Sequence, residues 1–276
     1  MPASLSVPSP WPASTTDGAV DVSIVVPCRG CAATLPTLVA EVRAALDPAL
    51  RVEFILVADG SDKDAAVIAQ LRAQDPVVRG VELPARRGQH AAIAVGLSQA
   101  GGDVVVVMDG DLQHRPADVP RLLAALRDRD VDVIVARRAS RFEGVVVRAG
   151  SAIFFAALSL VLGAPIHRGL SSFSALRRAS VEALACIPDG PRHHLIELRR
   201  LGARWRVVDV DFPRRPAGTS SYSLGERCRL ALSLLAVARP ALFGPGVGLR
   251  AFIVLIAAVA GLGVLGVLGV LQILRS

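Results

Sequence analysis

Two aspartates, Asp109 and Asp111, follow directly on an apolar run in the stretch VVVVMDGDLQHRP. At a strand end or in a tight turn, carboxylates at this spacing can aim at one cation. Hard divalent ions such as Mg²⁺ or Mn²⁺ take oxygen ligands of this kind. Such an ion can also bridge to a diphosphate and offset the charge that a departing diphosphate gains. A polar turn after a strand yields the same Asp-x-Asp, so the motif takes its meaning from its surroundings. The first apolar run ends at Pro27, the second ends in ADGS with Asp59, Gly60 and Ser61, and RRGQHAAIAVGL, carrying Gly88 and Gln89, sits shortly before the aspartates.

Positioning these residues falls to an alternating pattern. Runs rich in Val and Ile at 22–26, 53–58, 80–83, 103–109 and 132–136 read as strands, and stretches of helical spacing lie between them at 35–46, 64–74, 89–100 and 116–129. A β-α-β-α order with strands apolar on both faces predicts an α/β domain with a mostly parallel, Rossmann-like sheet. Ligands of such sheets bind at the carboxyl ends of the strands, where this sequence carries its polar residues.

The chain has 276 residues, 52% of them hydrophobic and only 4% aromatic, and the apolar share is concentrated at the C-terminus. Residues 251–274 carry no charge and, at about 1.5 Å per residue, suffice to cross a hydrocarbon core of roughly 30 Å. They predict one transmembrane helix. Arg227, Arg229, Arg239 and Arg250 precede it and only Arg275 follows, so the main domain is expected on the cytosolic side of the cell (inner) membrane, single-pass. Residues 1–19 read as a Pro/Ser-rich disordered leader. Amphipathic stretches at 145–166, with Arg148, and at 223–250 are expected to graze the interface. What remains is enough for one catalytic domain, 20–222.

The net charge of +7 is carried almost wholly by arginine, Lys63 being the only lysine, which suits anionic lipid and phosphate ligands. No basic stretch is interleaved with aromatics, which argues against nucleic acid. Cys28 and Cys31 form a lone C-x-x-C without a second ligand pair, so reduced thiols packed at a strand end are expected. The sequence is silent on oligomeric state: the glycines at 261, 263, 266 and 269 lack the spacing of a simple helix-dimer motif.

The succession SIVVP, ADGSDKD, RRGQHAAIAVGLSQAGGDVVVVMDGDLQHRP and DVIVARRASR resembles glycosyltransferase family 2. It resembles specifically the branch that includes dolichol-phosphate mannose synthase and the bacterial polyprenyl-phosphate glucosyl- and aminoarabinosyl-transferases. The resemblance covers roughly residues 20 to 250. It implies an A-type glycosyltransferase fold, with catalytic Asp109 and Asp111 holding Mg²⁺ or Mn²⁺. Pro27, Asp59, Gly60 and Ser61 are implied around the nucleobase and ribose, Gly88 and Gln89 beneath the donor, and Arg215 at the donor diphosphate. Arg138, Ser140, Arg141 and Arg148 match positions that hold the acceptor phosphate, a role suited to guanidinium groups. The implied reaction is inverting transfer of a sugar from a UDP- or GDP-sugar to a polyprenyl phosphate at the cytosolic membrane face.

Departures accompany the matches. Arg29-Gly30-Cys31 stands where the family usually has an acidic residue after the first strand, Ala58-Asp59 where it has two aspartates, and Ser171-Ser172-Phe173 where it has Gly-Asp-Phe. Ser221 replaces a loop lysine before Tyr222, and one spanning helix is expected where the family usually carries two. A phosphate monoester is largely dianionic at neutral pH and attacks without a strong base, so catalysis survives the loss at 172. The losses at 31 and 58 bear on the donor and motivate the alternative of a non-catalytic binding or regulatory subunit in a glycolipid pathway. A non-lipid acceptor is disfavoured by the interfacial stretches. His193 and His194 are adjacent, and neighbours on a helix point about 100° apart and do not easily share one ion. A surface or acceptor-side role is expected for them and for His114, and Trp205 is expected to pack under the last strand.

Overall fold

The computed structural model describes residues 20–138, 170–187 and 193–210. The chain divides into two compact units, 1–139 with 170–215 and 140–169 with 216–276, and every described residue belongs to the first. The leader, both interfacial stretches and the expected spanning helix lie outside the described residues. Among the described residues no helix is long and apolar enough to cross a membrane.

The Val-rich runs form β1 (Val22–Cys28), β2 (Val52–Asp59), β3 (Val78–Leu83) and β4 (Val104–Val107), separated by α1 (Leu35–Ala45), α2 (Asp62–Gln74) and α3 (Gln89–Gln99). The helix expected over 116–129 begins as a 3-10 turn at Pro116–Asp118 and continues as α4 (Val119–Leu126), followed by β5 (Val133–Arg138). Then come β6 (Leu170–Arg177), α5 (Arg178–Ala185), α6 (His194–Arg200) and β7 (Trp205–Val210). Trp205 therefore opens the last described strand, and the Arg199 guanidinium lies 5.6 Å from its ring centre.

The described strands make one sheet in the order β3-β2-β1-β4-β6-β5-β7. All neighbours are parallel except β6, which runs antiparallel between β4 and β5 with Val107 opposite Ser174 and Ile134 opposite Ala175. The expected mostly parallel sheet is present, and β6 is an element the apolar-run pattern does not reveal, because LSSFSALR is rich in serine. Period-2 alternation sorts the core by face. Ile24, Val26, Phe54, Leu56, Val104 and Val106 meet α1, α2 and α4 on one side. Val25, Ile55, Val57, Val105 and Val107 meet α3, α5 and α6 on the other.

The amino ends of the strands are closed by polar locks. The Glu53 carboxylate accepts from Ser23 Oγ at 2.7 Å, Gly101 N at 2.6 Å and Arg79 at 3.1 Å. Burial works against its charge, but these donors prevail and hold its pKa below the usual carboxylate value. The buried Arg177 guanidinium donates to the carbonyls of Val131, Leu126 and Asp128. These locks fasten the amino ends of the strands, whereas the polar residues singled out from the sequence lie at the carboxyl ends.

Helix α3 crosses β1 at a glycine. A Cβ on Gly96 would lie 2.4 Å from Val25 Cγ1, so the close approach that seats α3 under the sheet needs a residue without a side chain. Gly96→Val should lower stability by about 1–3 kcal/mol through overpacking, read as a drop in the urea midpoint. An unchanged midpoint would contradict this packing.

Candidate functional site

The carboxyl ends of β1, β2 and β4 converge with the amino end of β6. Strand β4 stops at Val107, and Asp109 and Asp111 lie in the turn that follows rather than on the strand. Asp109 is a hub. Its Oδ1 accepts from Gln89 Nε2 at 2.6 Å and from Ser172 Oγ at 2.9 Å. Its backbone N–H donates to His114 Nδ1 at 3.0 Å. An Nδ1 acceptor puts the imidazole proton on Nε2, which faces Asp109 Oδ2 at 3.7 Å. His114 is buried and stacks on Phe173 with ring centres 4.9 Å apart. It is not the surface residue expected from sequence, because its ring serves as the floor of the aspartate turn.

Asp111 is exposed and is held within its own turn, Gln113 N donating to Oδ1 at 3.0 Å and Gln113 Nε2 to Oδ2. Leu112 between them takes a positive φ of 59°, a conformation uncommon for leucine. Among the described residues neither aspartate pairs with an arginine. Gly110 is gripped from below: Thr34 Oγ1 lies 2.5 Å from its carbonyl and 2.8 Å from that of Cys31, its single proton serving one at a time. A Cβ on Gly110 would lie 2.7 Å from Cys31 Sγ. This donor set of two hard carboxylates, one side-chain exposed and the other 31% exposed, fits a divalent cation such as Mg²⁺ or Mn²⁺.

The β1 and β2 turns are fastened to each other. Gly30 N and Cys31 N donate to the buried Asp64 carboxylate at 2.7 and 3.0 Å. Asp64 is in turn capped by Ser61, whose hydroxyl accepts from Asp64 N at 3.4 Å. Asp59 is 2% exposed, and its carboxylate accepts from Arg87 N at 2.6 Å and Gly88 N at 2.9 Å. Both of its oxygens thus hold the loop that enters α3, and Gly88 caps that helix with φ 96°. Gly60 has φ 59°, and a Cβ there would lie 2.4 Å from Arg86 N. Only glycine lets the two loops pass. Arg29 reaches across to the Asp59 carbonyl at 3.0 Å, and Pro27 sits in β1 opposite Val57.

Cys28 and Cys31 are buried free thiols, as the packing expectation has it. The contact with Cys31, then burial, pushes the Cys28 thiol well up, away from reactivity. Ala58 lies 1% exposed in the same apolar cluster as both cysteines. Cys31 and Ala58, two of the three positions where the resemblance leads one to expect a carboxylate, thus belong to one apolar cluster.

Three further histidines lie together, and two of them, His193 and His194, do not both lie on a helix as the helix-geometry expectation assumed. His193 is the N-cap of α6, with extended backbone at φ −151° and ψ 99°, and only His194 is helical. Donor nitrogens of His90, His193 and His194 all lie within 4.8 Å of one another. Burial, then neighbouring imidazoles, lower the pKa of His193 to about 3 and that of His194 well below the usual value, and burial lowers His90 against the pull of Asp109.

Of the residues expected to hold the acceptor phosphate, Arg138 closes β5 opposite Val210, and Ser140, Arg141 and Arg148 lie outside the described residues, as does Arg215. The neighbouring Arg137 is paired with Asp209 at 2.6 and 2.9 Å. Site residues that the sequence did not single out for these roles are Asp64, Thr34 and His90, together with Ser172 as a donor to Asp109. Their partners lie tens of residues away and carry no local motif.

Replacing Asp59 by asparagine leaves one backbone N–H of the 87–88 turn facing an amide NH₂. Asp59→Asn should cost about 1–3 kcal/mol and speed amide exchange at Arg87 and Gly88. Exchange at those two amides matching the wild type would contradict the anchoring role.

The sequence model of Glycosyl transferase family 2 matches residues 23–185. The undecaprenyl-phosphate 4-deoxy-4-formamido-L-arabinose transferase of Photorhabdus laumondii is 30% identical over 217 residues, 78% of this chain and 66% of that protein. Its counterpart in Pseudomonas savastanoi pv. phaseolicola is 34% identical over 206 residues, 73% of this chain and 60% of that protein. The chain thus spans somewhat less than two thirds of the length of these relatives. Among solved structures, glucosyl-3-phosphoglycerate synthase from Mycobacterium tuberculosis with Mn²⁺, UDP and glucosyl-3-phosphoglycerate aligns with TM-score 0.56 at 23% identity, over 80% of this chain and 81% of that one. Mannosyltransferase PcManGT from Pyrobaculum calidifontis with GDP-Man and Mn²⁺ aligns with TM-score 0.51 at 19% identity, over 92% and 80%. At such identities the likeness is one of fold, and it agrees with the A-type architecture expected from sequence.

Proposed function

The chain belongs to glycosyl transferase family 2, and from that premise we propose that it transfers a sugar from a nucleotide sugar to a polyprenyl phosphate. The observation that carries this is the Asp109 hub at the carboxyl end of β4, where Gln89 and Ser172 fix one carboxylate oxygen and Asp111 stands exposed two residues on. The curated relatives are named for transfer involving undecaprenyl phosphate, and solved structures of the same fold carry UDP or GDP-Man with a divalent ion.

In this reading Asp109 and Asp111 hold a divalent ion, which when bound neutralises charge on the donor diphosphate. Gln89 and Ser172 keep Asp109 oriented. Asp59 acts at one remove by fixing the 87–88 turn beneath the donor, and Pro27, Gly60 and Ser61 line the nucleoside side. The acceptor phosphate, dianionic at neutral pH, attacks the anomeric carbon in line, inverting it and releasing the nucleoside diphosphate. Arg138, Ser140, Arg141 and Arg148 receive the acceptor phosphate, and Arg215 reaches the donor diphosphate. The acceptor's lipid nature calls for a membrane-bound enzyme, with residues 251–274 as the tether and 223–250 at the interface of the inner membrane's cytosolic face.

Ser172 stands where the family usually has an aspartate. A carboxylate there would face that of Asp109, whereas the serine donates to it, so the substitution strengthens the hub at the expense of a second acid. A non-catalytic reading rests on the apolar patch of Cys28, Cys31 and Ala58, which offers a nucleobase no carboxylate.

The test is transfer of labelled sugar to polyprenyl phosphate by the full chain in detergent, with UDP- and GDP-sugars and Mg²⁺ or Mn²⁺. Metal-dependent product is expected, falling on the order of 100-fold or more in Asp111→Ala, in keeping with loss of electrostatic stabilisation at a departing anion. No turnover together with no nucleotide-sugar binding across the panel would favour the non-catalytic reading.

A further inference from the structure

Beside the aspartate turn, two helices that are distant in sequence bring three imidazoles together. His90 is in the first turn of α3, His193 caps α6 and His194 begins it. The rings of His90 and His193 have centres 4.1 Å apart, and those of His193 and His194 5.9 Å. His194 is 2% exposed. The Nδ1 atoms of all three are shut off from solvent and have no hydrogen-bond partner among the described residues. His194 Nε2 lies 3.5 Å from Ser174 Oγ.

A buried polar atom without a partner costs about 1–3 kcal/mol, and native structures rarely leave several in one place. Burial and mutual proximity keep the rings neutral, which is the form that ligates a metal.

We propose that His90, His193 and His194 bind a first-row transition-metal ion, with zinc as the reference case, at a site separate from the Asp109 and Asp111 pair. Three imidazoles suit zinc, cobalt, nickel or copper, whereas paired carboxylates suit magnesium or manganese, so the two sites select different ions. Nitrogens around a tetrahedral zinc at about 2.1 Å lie roughly 3.4 Å apart. The separations here, at most 4.8 Å, close to that value as the stacked rings turn their edges inward, and water completes the coordination. The ion staples α6 to α3 at the residue next to Gln89, whose amide holds Asp109. None of this depends on sugar transfer.

The test is a Co²⁺ titration of the full chain, purified in detergent with a histidine-free tag, stripped with chelator and kept in excess Mg²⁺. One equivalent should bind with the visible absorption of a nitrogen-ligated ion, and Zn²⁺ should displace it. His90→Gln and His193→Gln should each weaken binding about 100-fold or more, beyond the loss typical of an outer-shell contact, while Asp109→Asn and Asp111→Asn leave it in place. Absence of the nitrogen-type signal in the wild-type chain overturns the proposal on its own, whatever the variants do. Wild-type binding in both histidine variants, or loss of the signal in either aspartate variant, overturns it as well.

Discussion

The site depends on how one carboxylate is held. Asp109 sits just past β4, where the chain has left the sheet and has no ladder to fix it. Its orientation comes from three directions: Gln89 at the start of α3, Ser172 on β6, and His114 beneath its backbone N–H. Each supporter is fixed in turn. Gln89 follows a glycine cap that Asp59 pins to β2, Ser172 is carried by a strand paired on both sides, and His114 is clamped against Phe173. A carboxylate oxygen that already accepts two hydrogen bonds is held in one orientation, which in the proposed reading spares reorganisation when a cation binds.

The antiparallel strand explains why the parts meet. A purely parallel extension of the sheet beyond β4 would place the amino end of the next strand at the opposite pole, next to Glu53 and Gly101. Running β6 the other way puts its first residues, Ser171 to Phe173, beside the aspartate turn. The same inversion brings α5 and α6 onto the face already occupied by α3, which is how His193 and His194 come to face His90.

Much of this was legible in the sequence, and the exceptions have physical reasons. The parallel strands and their helices show as apolar runs and helical spacing because they are buried on one or both faces, and the predicted boundaries fall within a few residues of those observed. Strand β6 stayed hidden because its serines are satisfied by local and cross-strand hydrogen bonds, such as Ser174 Oγ to the Ser172 carbonyl, rather than replaced by apolar side chains. The Asp-x-Asp was visible, but its support was not, since Gln89 and Ser172 lie 20 and 63 residues from Asp109. The histidine pair departs from the expectation because only one of the two residues is helical. His193 stands one residue outside it, and that single extended backbone re-aims its ring.

Cys31 and Ala58 show that a missing family carboxylate need not leave a hole. Both lie in an apolar cluster with Cys28 and Met108, and Cys31 Sγ occupies the space under Gly110. The turn that bears both aspartates is therefore supported by packing.

The central claim, that Asp109 and Asp111 form a cation site preorganised by Gln89 and Ser172, is tested most directly by Mn²⁺ binding followed by electron paramagnetic resonance. One Mn²⁺ per chain is expected in the wild type, with affinity lost in Asp111→Asn and weakened about tenfold in Gln89→Ala, the size of one hydrogen bond to a charged group. Mn²⁺ affinity untouched by both substitutions would contradict it.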